Sequence, residues 1–251
     1  SIRMIYAGDA IVIDALPNKE EVLKNGYNDS STDYTQIGTS AFNSSRNDNA
    51  YVGYMYGIRG SSTYEETHRN INSSTIKTAV DTWYESHIKD TEYEQYLADT
   101  LFCNDRSSAT DNTGTGAGTS DTNYRADNTN VHTLYCKNQN DRFTVNDETI
   151  GNGDLTYPIG LLIIDEAYLA GGRGDNSSYY LYTGNDYKTM SPHSFTGSVA
   201  YVFSVSGQGN AASYGRTDNT GGIRPVINLK PDSLNNGNGT ASSPYRALPN
   251  A

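Results

Sequence analysis

Two apolar segments enclose a polar, tyrosine-rich insert in the last third of the chain, and this arrangement limits the possible folds more than any other feature. The first segment, residues 161–164, leads into residues 165–172, and the second is residues 221–229. Between them the sequence consists largely of Tyr, Ser, Asn and Gly. Tyr provides a rigid ring with a hydroxyl group, and the small polar residues provide adaptable hydrogen bonds. The pattern predicts a fixed scaffold that carries a recognition surface and not a reaction centre.

The composition indicates one domain with long loops. Only 35% of the 251 residues are hydrophobic, below the roughly 45–50% of ordinary globular domains. The aromatic residues are 21 Tyr, 5 Phe and 1 Trp. Because a buried Tyr hydroxyl needs a hydrogen-bonding partner, we expect many tyrosines to lie at or near the surface.

The charge argues against two classes of partner. The formal net charge is −11, and no basic cluster occurs, whereas affinity for nucleic acid depends on Lys and Arg. The same reasoning argues against binding to an anionic membrane surface. No apolar run reaches the roughly 18 residues of a transmembrane helix, and the first six residues lack the features of a signal peptide. We expect a trimmed chain whose natural leader or anchor, the only predicted link to a membrane, has been removed.

The two cysteines, Cys103 and Cys136, fit neither a zinc-binding pattern nor a CxxC redox motif. Few Lys and many Asn and Ser residues favour an exported, extracellular protein, in which the pair would form a disulfide. Such a bond would stabilise the fold by roughly 3 kcal/mol in the chain-entropy interpretation. Two buried thiols in a cytosolic protein are the alternative.

The pattern of apolar residues predicts a mixed α+β fold with short strands, one or two helices and long loops. The predicted strands are residues 2–6, 10–13, 50–56, 199–205 and 223–229. The main helix is predicted over residues 75–88, with Ser74 as its N-cap and a Lys77–Asp81 pair on a different face from the apolar residues. Its apolar face contains Ile76, Val80, Trp83, Tyr84 and Ile88. A second, short helix is expected over residues 92–101.

No residue pattern predicts a catalytic or cofactor site. The four histidines are scattered, and the Asp165–Glu166 pair is interpreted as a helix start, where acids complement the helix dipole. Residues 105–130 form a long polar segment. An ordinary solvated loop is favoured there, and a calcium site formed by Asp111, Asp121 and Asp127 is the weaker alternative. We therefore predict no cofactor and no enzymatic activity.

Residues 162–172 resemble the helix motif of the formylglycine-generating-enzyme type of C-type lectin fold, and residues 222–226 resemble the strand that ends those domains. Enzymes of that type use a closely spaced cysteine pair with copper, which this chain lacks. A wider resemblance connects residues 41–57, 74–84, 102–107, 156–161 and 222–230 to surface proteins of gut Firmicutes, some with pilin-like N-termini. The resemblance implies one C-type lectin-like domain over residues 1–251. It comprises a helix-containing part (1–150), a motif-bearing part with the binding surface (151–230) and a tail (231–251).

The fold that the chain resembles also serves as a display scaffold, as in the variable proteins of diversity-generating retroelements. In those proteins the variable positions lie just before the final strand. The resemblance thus implies an adhesion module on the bacterial surface that binds a protein or glycan of a host or neighbouring microbe. Retroelement diversification is a hypothesis, and a structural pilin or stalk subunit is the alternative function. The implied ligand-binding residues are Tyr179, Tyr180, Tyr182, Asn185, Tyr187, His193, Tyr201, Tyr214, Arg216, Asp218 and Asn219.

Overall fold

The computed structural model describes residues 1–5, 35–109, 116–234 and 238, and these form short strands and few helices. The strands are β1 (Ile2–Ile5), β2 (Thr39–Ala41), β3 (Met55–Tyr56), β4 (Asn72–Ser73), β5 (Phe102–Cys103), β6 (Gly118–Thr119), β7 (Arg142–Phe143), β8 (Ile159–Leu161), β9 (Tyr187–Phe195), β10 (Ala200–Val205), β11 (Ser213–Arg216), β12 (Thr220–Gly222) and β13 (Pro225–Leu229). The α-helices are α1 (Tyr64–Thr67), α2 (Thr75–His87), α3 (Asp121–Tyr124) and α4 (Ile164–Leu169). Single 3-10 turns occur at Asn49–Val52, Glu94–Tyr96 and Gln139–Asp141, and a π-helical turn at Arg125–Thr129.

The described residues form four sheets, of which β3–β4 and β5–β7 have only two strands each. Of the two larger sheets, the smaller has the order β1-β13-β8 and is antiparallel throughout. The larger has the order β11-β10-β9-β12-β2, with β6 also paired to β9, and only its β9–β12 pair is parallel. Pro225 is the first residue of β13, where its missing amide hydrogen costs little. The mixed α+β class and the short strands predicted from the sequence are confirmed.

Helix α2 agrees with its predicted pattern. The Ser74 hydroxyl accepts a hydrogen bond from the Lys77 amide at 3.1 Å, which caps the first turn. The side chains of Ile76, Val80 and Tyr84 are fully buried against the core, because their spacing puts them on one face. Trp83 lies at the margin of this core, where its ring stacks on His87, and Lys77 donates to Asp81 at 2.6 Å.

Three expectations about local structure need correction. Residues 50–56 contain strand only at Met55–Tyr56, because Asp48 accepts a bond from the Ala50 amide and starts the Asn49–Val52 turn. Residues 92–101 contain one 3-10 turn and no helix, since Leu97 pairs with Leu229 beside the smaller sheet. Residues 105–130, predicted as loop, contain β6, α3 and the π-helical turn. The strand predicted over residues 10–13 lies outside the described residues.

The core contains more tyrosine than the composition predicts. Tyr54, Tyr84 and Tyr187 are among the largest fully buried side chains. The Tyr84 hydroxyl donates to Glu94 at 3.2 Å, and the Tyr187 hydroxyl donates to the Leu181 carbonyl oxygen at 3.0 Å. Partners ten and six residues away in the sequence therefore satisfy these two hydroxyl groups, whereas the buried Tyr54 hydroxyl has no hydrogen-bonding partner among the described residues.

The predicted disulfide between Cys103 and Cys136 is present, with a Cα–Cα distance of 5.8 Å. It lies beside a buried ion pair, because Cys136 contacts the Asp141 carbonyl oxygen and the Asp141 carboxylate receives Arg106 Nε at 2.6 Å. Together they fix the polar middle of the chain to β5 and β7. None of the helices within the described ranges has the length and apolar character needed to cross a membrane.

Candidate functional site

The most prominent surface feature within the tyrosine-rich insert is one face of the β9–β10–β11 part of the larger sheet. In the antiparallel pairing of β10 with β11, Tyr201 is opposite Arg216 and Phe203 is opposite Tyr214. Because side chains alternate along a strand, these four side chains lie on the same face. Phe203 is only 1% exposed and anchors this face to the core.

Three rings are packed together on this face. His193 and Tyr214 stack with ring centroids 3.8 Å apart and planes 16° apart. Tyr201 meets both rings edge-on, with centroids 5.8 Å from Tyr214 and 6.4 Å from His193. Tyr214 is 54% exposed, and the other two rings are partly exposed. We call His193, Tyr201, Tyr214 and Arg216 the aromatic face.

His193 contributes a ring, and not a charge, to the aromatic face. Burial lowers the pKa of its imidazole to about 4, so the group is neutral at pH 7. Its Nδ1 atom lies 2.8 Å from the Ser194 hydroxyl, and the ring contacts Phe203 edge-on at 4.9 Å. Contacts with Ser194 and Phe203 thus hold the neutral His193 ring in place.

A charged network borders the aromatic face. Arg216 Nε lies 3.2 Å from Asp218 Oδ1 and 3.2 Å from Asn219 Oδ1. Asp218 also forms an ion pair with Arg46, and the Thr217 hydroxyl donates to the Ser45 carbonyl oxygen at 2.8 Å. Because these side chains are partly exposed, the pairs contribute little to stability. Their effect is to hold the β11–β12 turn and to orient the Arg216 guanidinium.

Two of the predicted binding residues are core residues instead. Tyr179 is 8% exposed and Tyr187 is 1% exposed. The Arg224 guanidinium lies 4.8 Å from the centroid of the Tyr187 ring. The side chains of Arg224 and Tyr187 both donate to the carbonyl oxygen of Leu181. Burial raises the pKa of Tyr187. A ligand cannot contact a ring that is enclosed in this way. Tyr179 and Tyr187 therefore do not belong to the predicted binding surface.

Three other predicted residues, Tyr180, Tyr182 and Asn185, lie in the segment that precedes β9. Tyr180 is 68% exposed, whereas the other two are partly buried. This segment packs on the β10–β11 connection, where the Gly207 amide donates to Asp186 at 2.6 Å. The start of β9 lies about 20 Å along the strand from His193. The structure therefore joins His193, Tyr201, Tyr214, Arg216, Asp218 and Asn219 and does not bring the earlier tyrosines to them.

A second concave surface was missed by sequence reasoning. It is an open groove of about 670 Å³ whose walls include Asp48, Tyr51, Tyr56, Arg59 and Asn72. In the predicted strand 50–56, alternation would have placed the two tyrosines on opposite faces. The 3-10 turn places their ring centroids 5.5 Å apart. A strand prediction could not reveal this groove.

A third cleft, of about 410 Å³, lies beside Tyr64, His68 and Arg69. Burial lowers the pKa of His68 to about 3. Its Nδ1 atom lies 2.8 Å from the Tyr64 carbonyl oxygen, and its Nε2 atom lies 3.2 Å from Asn49 Nδ2. Both ring nitrogens are therefore engaged in internal hydrogen bonds, which indicates a structural role.

Three of the acidic residues considered from the sequence, Asp121, Asp165 and Glu166, have structural partners. Asp121 pairs with Arg125 at 3.1 Å, and Arg125 also reaches Asp165 at 3.1 Å. Glu166 accepts from the Ile163 amide at the start of α4. Asp111 lies outside the described residues, and nothing is described of the Asp127 side chain. Within the described ranges, no three His, Cys, Asp or Glu residues are grouped as a metal site requires.

Comparisons with protein-family models, with curated proteins and with solved structures give no match for this chain. Functional inference therefore depends on the geometry of the aromatic face and of the groove.

Proposed function

We propose that this protein is a non-enzymatic binding or adhesion module, exported and displayed on the bacterial cell surface. Its aromatic face recognises a protein or a glycan. The observation that carries the proposal is the cluster of three rings, all at least partly exposed, beside Arg216 on the larger sheet.

The physical support is preorganisation. Stacking of His193 on Tyr214 and the edge contacts of Tyr201 hold the rings in place before a ligand arrives, so little side-chain entropy is lost on binding. Tyr and Arg are the residue types that most often dominate the energy of protein interfaces. Aromatic faces with polar hydroxyl groups also suit amphipathic ligands such as sugars. The ligand class therefore includes both proteins and glycans.

We also propose the C-type lectin-like fold and the surface-protein family for this chain. The motif at residues 162–172 includes α4, and the motif at residues 222–230 includes β13. The insert between them forms β9 to β12, which is the arrangement expected if a scaffold displays a variable segment. A disulfide is typical of exported proteins. Diversification by a retroelement belongs to the same proposal, and finding neither a template repeat nor a reverse transcriptase at the locus would exclude it.

The test is an array of glycans and of host and microbial surface proteins, probed with and without calcium. The variant Tyr201→Ala/Tyr214→Ala/Arg216→Ala should lose binding at least tenfold while it stays folded. Tyr180→Ala/Tyr135→Ala, which removes two more exposed tyrosines away from the aromatic face, is the matched control and should bind normally. Undiminished binding by the triple variant would assign recognition to another surface.

A structural pilin or stalk subunit is the second candidate, favoured by the position of β11. This strand is at the end of the larger sheet's order, and an uncovered edge strand can pair with a neighbouring chain. This function would be favoured if analytical ultracentrifugation shows concentration-dependent assembly and the array shows no binding. A monomer at all concentrations would exclude it.

A further inference from the structure

We propose that the groove beside Tyr51, Tyr56 and Arg59 is a second ligand site, separate from the aromatic face, that binds a carboxylate-bearing sugar such as a uronic acid. This inference goes beyond the proposed function, because no residue of the aromatic face takes part in it. It depends on three features of the groove: a cation that forms no salt bridge within the described residues, aromatic and apolar walls, and amide groups with unused hydrogen-bonding capacity.

The cation is Arg59, an exposed residue. Its Nη1 atom donates to the Tyr51 hydroxyl at 2.8 Å. The nearby carboxylate of Asp48 is engaged elsewhere, since it accepts from the Ala50 amide at 2.8 Å and from the Gly60 amide at 2.5 Å. In the part of the chain that the structure describes, Arg59 forms no salt bridge. The guanidinium therefore has N–H groups available for an external anion.

The walls of the groove suit the rest of a sugar ring. The Tyr56 ring is partly exposed and provides the aromatic surface on which a pyranose can lie. Tyr51 is only 2% exposed, and its ring packs against Tyr56 at a tilt of 53°. Ile58 and Ile71 are 45% and 62% exposed at this groove. They provide apolar contacts for the C–H groups of the sugar. The volume of about 670 Å³ is within the range of small-molecule sites.

The amide groups supply the polar contacts. Asn72 Nδ2 donates to the carbonyl oxygens of Tyr56 and Gly57 at 3.3 and 3.1 Å. This bonding fixes the amide and leaves its Oδ1 atom as an acceptor for a sugar hydroxyl. Asn47 Oδ1 accepts from the Ser45 hydroxyl at 2.9 Å, which leaves the Asn47 Nδ2 hydrogens as donors. A polyhydroxylated ligand can use both donor and acceptor.

A single carboxylate matches the groove better than a more highly charged anion. The planar fork of Arg pairs with a carboxylate through two parallel hydrogen bonds. One arginine and one carboxylate, that of Asp48, line the groove, and the protein carries a net charge of −11. A doubly charged phosphate would gain one cation and meet the repulsion of the whole molecule.

The experiment is a titration of the ¹⁵N-labelled 251-residue chain, followed by NMR, with sodium glucuronate, glucose, acetate and inorganic phosphate. Glucuronate should cause saturable shifts of the Gly57, Gly60 and Asn72 amides. Glucose lacks the carboxylate and acetate lacks the ring, so both should bind at least tenfold more weakly. Phosphate should bind more weakly than glucuronate for the charge reason given above.

Variants identify the cation. Arg59→Gln should weaken glucuronate binding at least tenfold, because a charge-assisted pair is lost. The Gln amide still offers a donor to the Tyr51 hydroxyl. Arg59→Lys keeps the charge and removes the fork, so its loss should be intermediate. Arg69→Gln removes an equally exposed arginine from the neighbouring cleft and should leave binding unchanged.

Four results would overturn the proposal: no saturable shift with glucuronate, equal affinity for glucose, equal affinity for phosphate, or equal losses in Arg59→Gln and Arg69→Gln. The variant Tyr201→Ala/Tyr214→Ala/Arg216→Ala should bind glucuronate normally. Its array result therefore reports on the proposed function, and the titration reports on the groove, so either can fail without the other.

Discussion

Replacing Asp141 by Asn should destabilise the protein severely. The Asp141 carboxylate receives Arg106 Nε at 2.6 Å, the Arg106 amide at 3.1 Å and Asn138 Nδ2 at 3.3 Å. The ion-paired side chains are 0% and 3% exposed. The Asn amide retains one acceptor oxygen and no charge, so Arg106 becomes a buried cation without a counter-ion.

The magnitude follows from this burial. Breaking a buried ion pair by removing one partner costs about 3–5 kcal/mol. For a chain of this size, each kcal/mol lowers the Tm by about 2–4 °C, so the expected decrease is roughly 6–20 °C. Asp121→Asn breaks a more exposed pair, in which the side chains are 17% and 26% exposed. That control should cost at most about 1 kcal/mol.

Urea denaturation measures the free energy of unfolding of each variant and calorimetry measures its Tm, with the disulfide kept oxidised in both. If Asp141→Asn unfolds within about 1 kcal/mol of Asp121→Asn, the reasoning from burial is wrong. A second comparison isolates the stranded charge. The double variant Arg106→Met/Asp141→Leu removes both charges and should lose less stability than Asp141→Asn alone. A loss equal to or larger than that of the single variant would show that packing, and not charge, explains the effect.

Burial raises the pKa of Asp105 to about 6 from 3.8. The folded state then binds more protons between those pH values, and stability falls by roughly 3 kcal/mol as pH rises through this window. Asp105→Asn should remove this pH dependence from the urea midpoints measured across pH 4–6. An unchanged pH dependence would show that Asp105 is not its source. Cys103→Ser/Cys136→Ser should lower the free energy of unfolding by roughly 3 kcal/mol, and no change on denaturation would contradict this. Gly209 has φ +86° and a Cβ there would meet a backbone carbonyl oxygen, so Gly209→Ala should cost about 1–3 kcal/mol by calorimetry; a neutral variant would show that the turn relaxes.

The elements that could be predicted are those in which local pattern and tertiary environment agree. Helix α2 has its apolar residues at helical spacing and a capping serine. Strand β10 alternates between the two faces of its sheet, and β13 has an apolar sequence between two partner strands. The disulfide could be predicted from the inferred exported character of the chain. For the helix and the two strands the information lies within a few residues of the element, and for the disulfide it lies in the composition of the whole chain.

Strand β9 could not be predicted, because its sequence reads as loop. Lys188, Thr189 and Ser191 are buried within it, and the bonds that make this tolerable come from other elements. The Thr189 hydroxyl donates to the Phe203 carbonyl oxygen at 2.9 Å, and Ser191 accepts from the Ile164 amide at 3.0 Å. The β9–β10 register also shifts twice. These irregularities separate residues of the insert that we expected to form one surface.

The binding surfaces show the same limit. Tyrosine looks alike in sequence whether its ring is enclosed, as in Tyr187, or exposed, as in Tyr214. The distinction depends on an acceptor such as the Leu181 carbonyl oxygen, which the strand itself does not supply. The groove around Arg59 required a 3-10 turn in place of a strand. The sequence could predict which residue types form a binding surface, but it could not predict the direction in which each side chain points.

The Cys103–Cys136 bond has a consequence for how this protein would withstand proteolysis. A protease that cuts once between the two cysteines leaves two polypeptides that are still covalently joined. Such a nicked molecule would migrate as one species until a reductant separates the pieces. A single cleavage within the enclosed segment therefore leaves the molecule in one covalent piece.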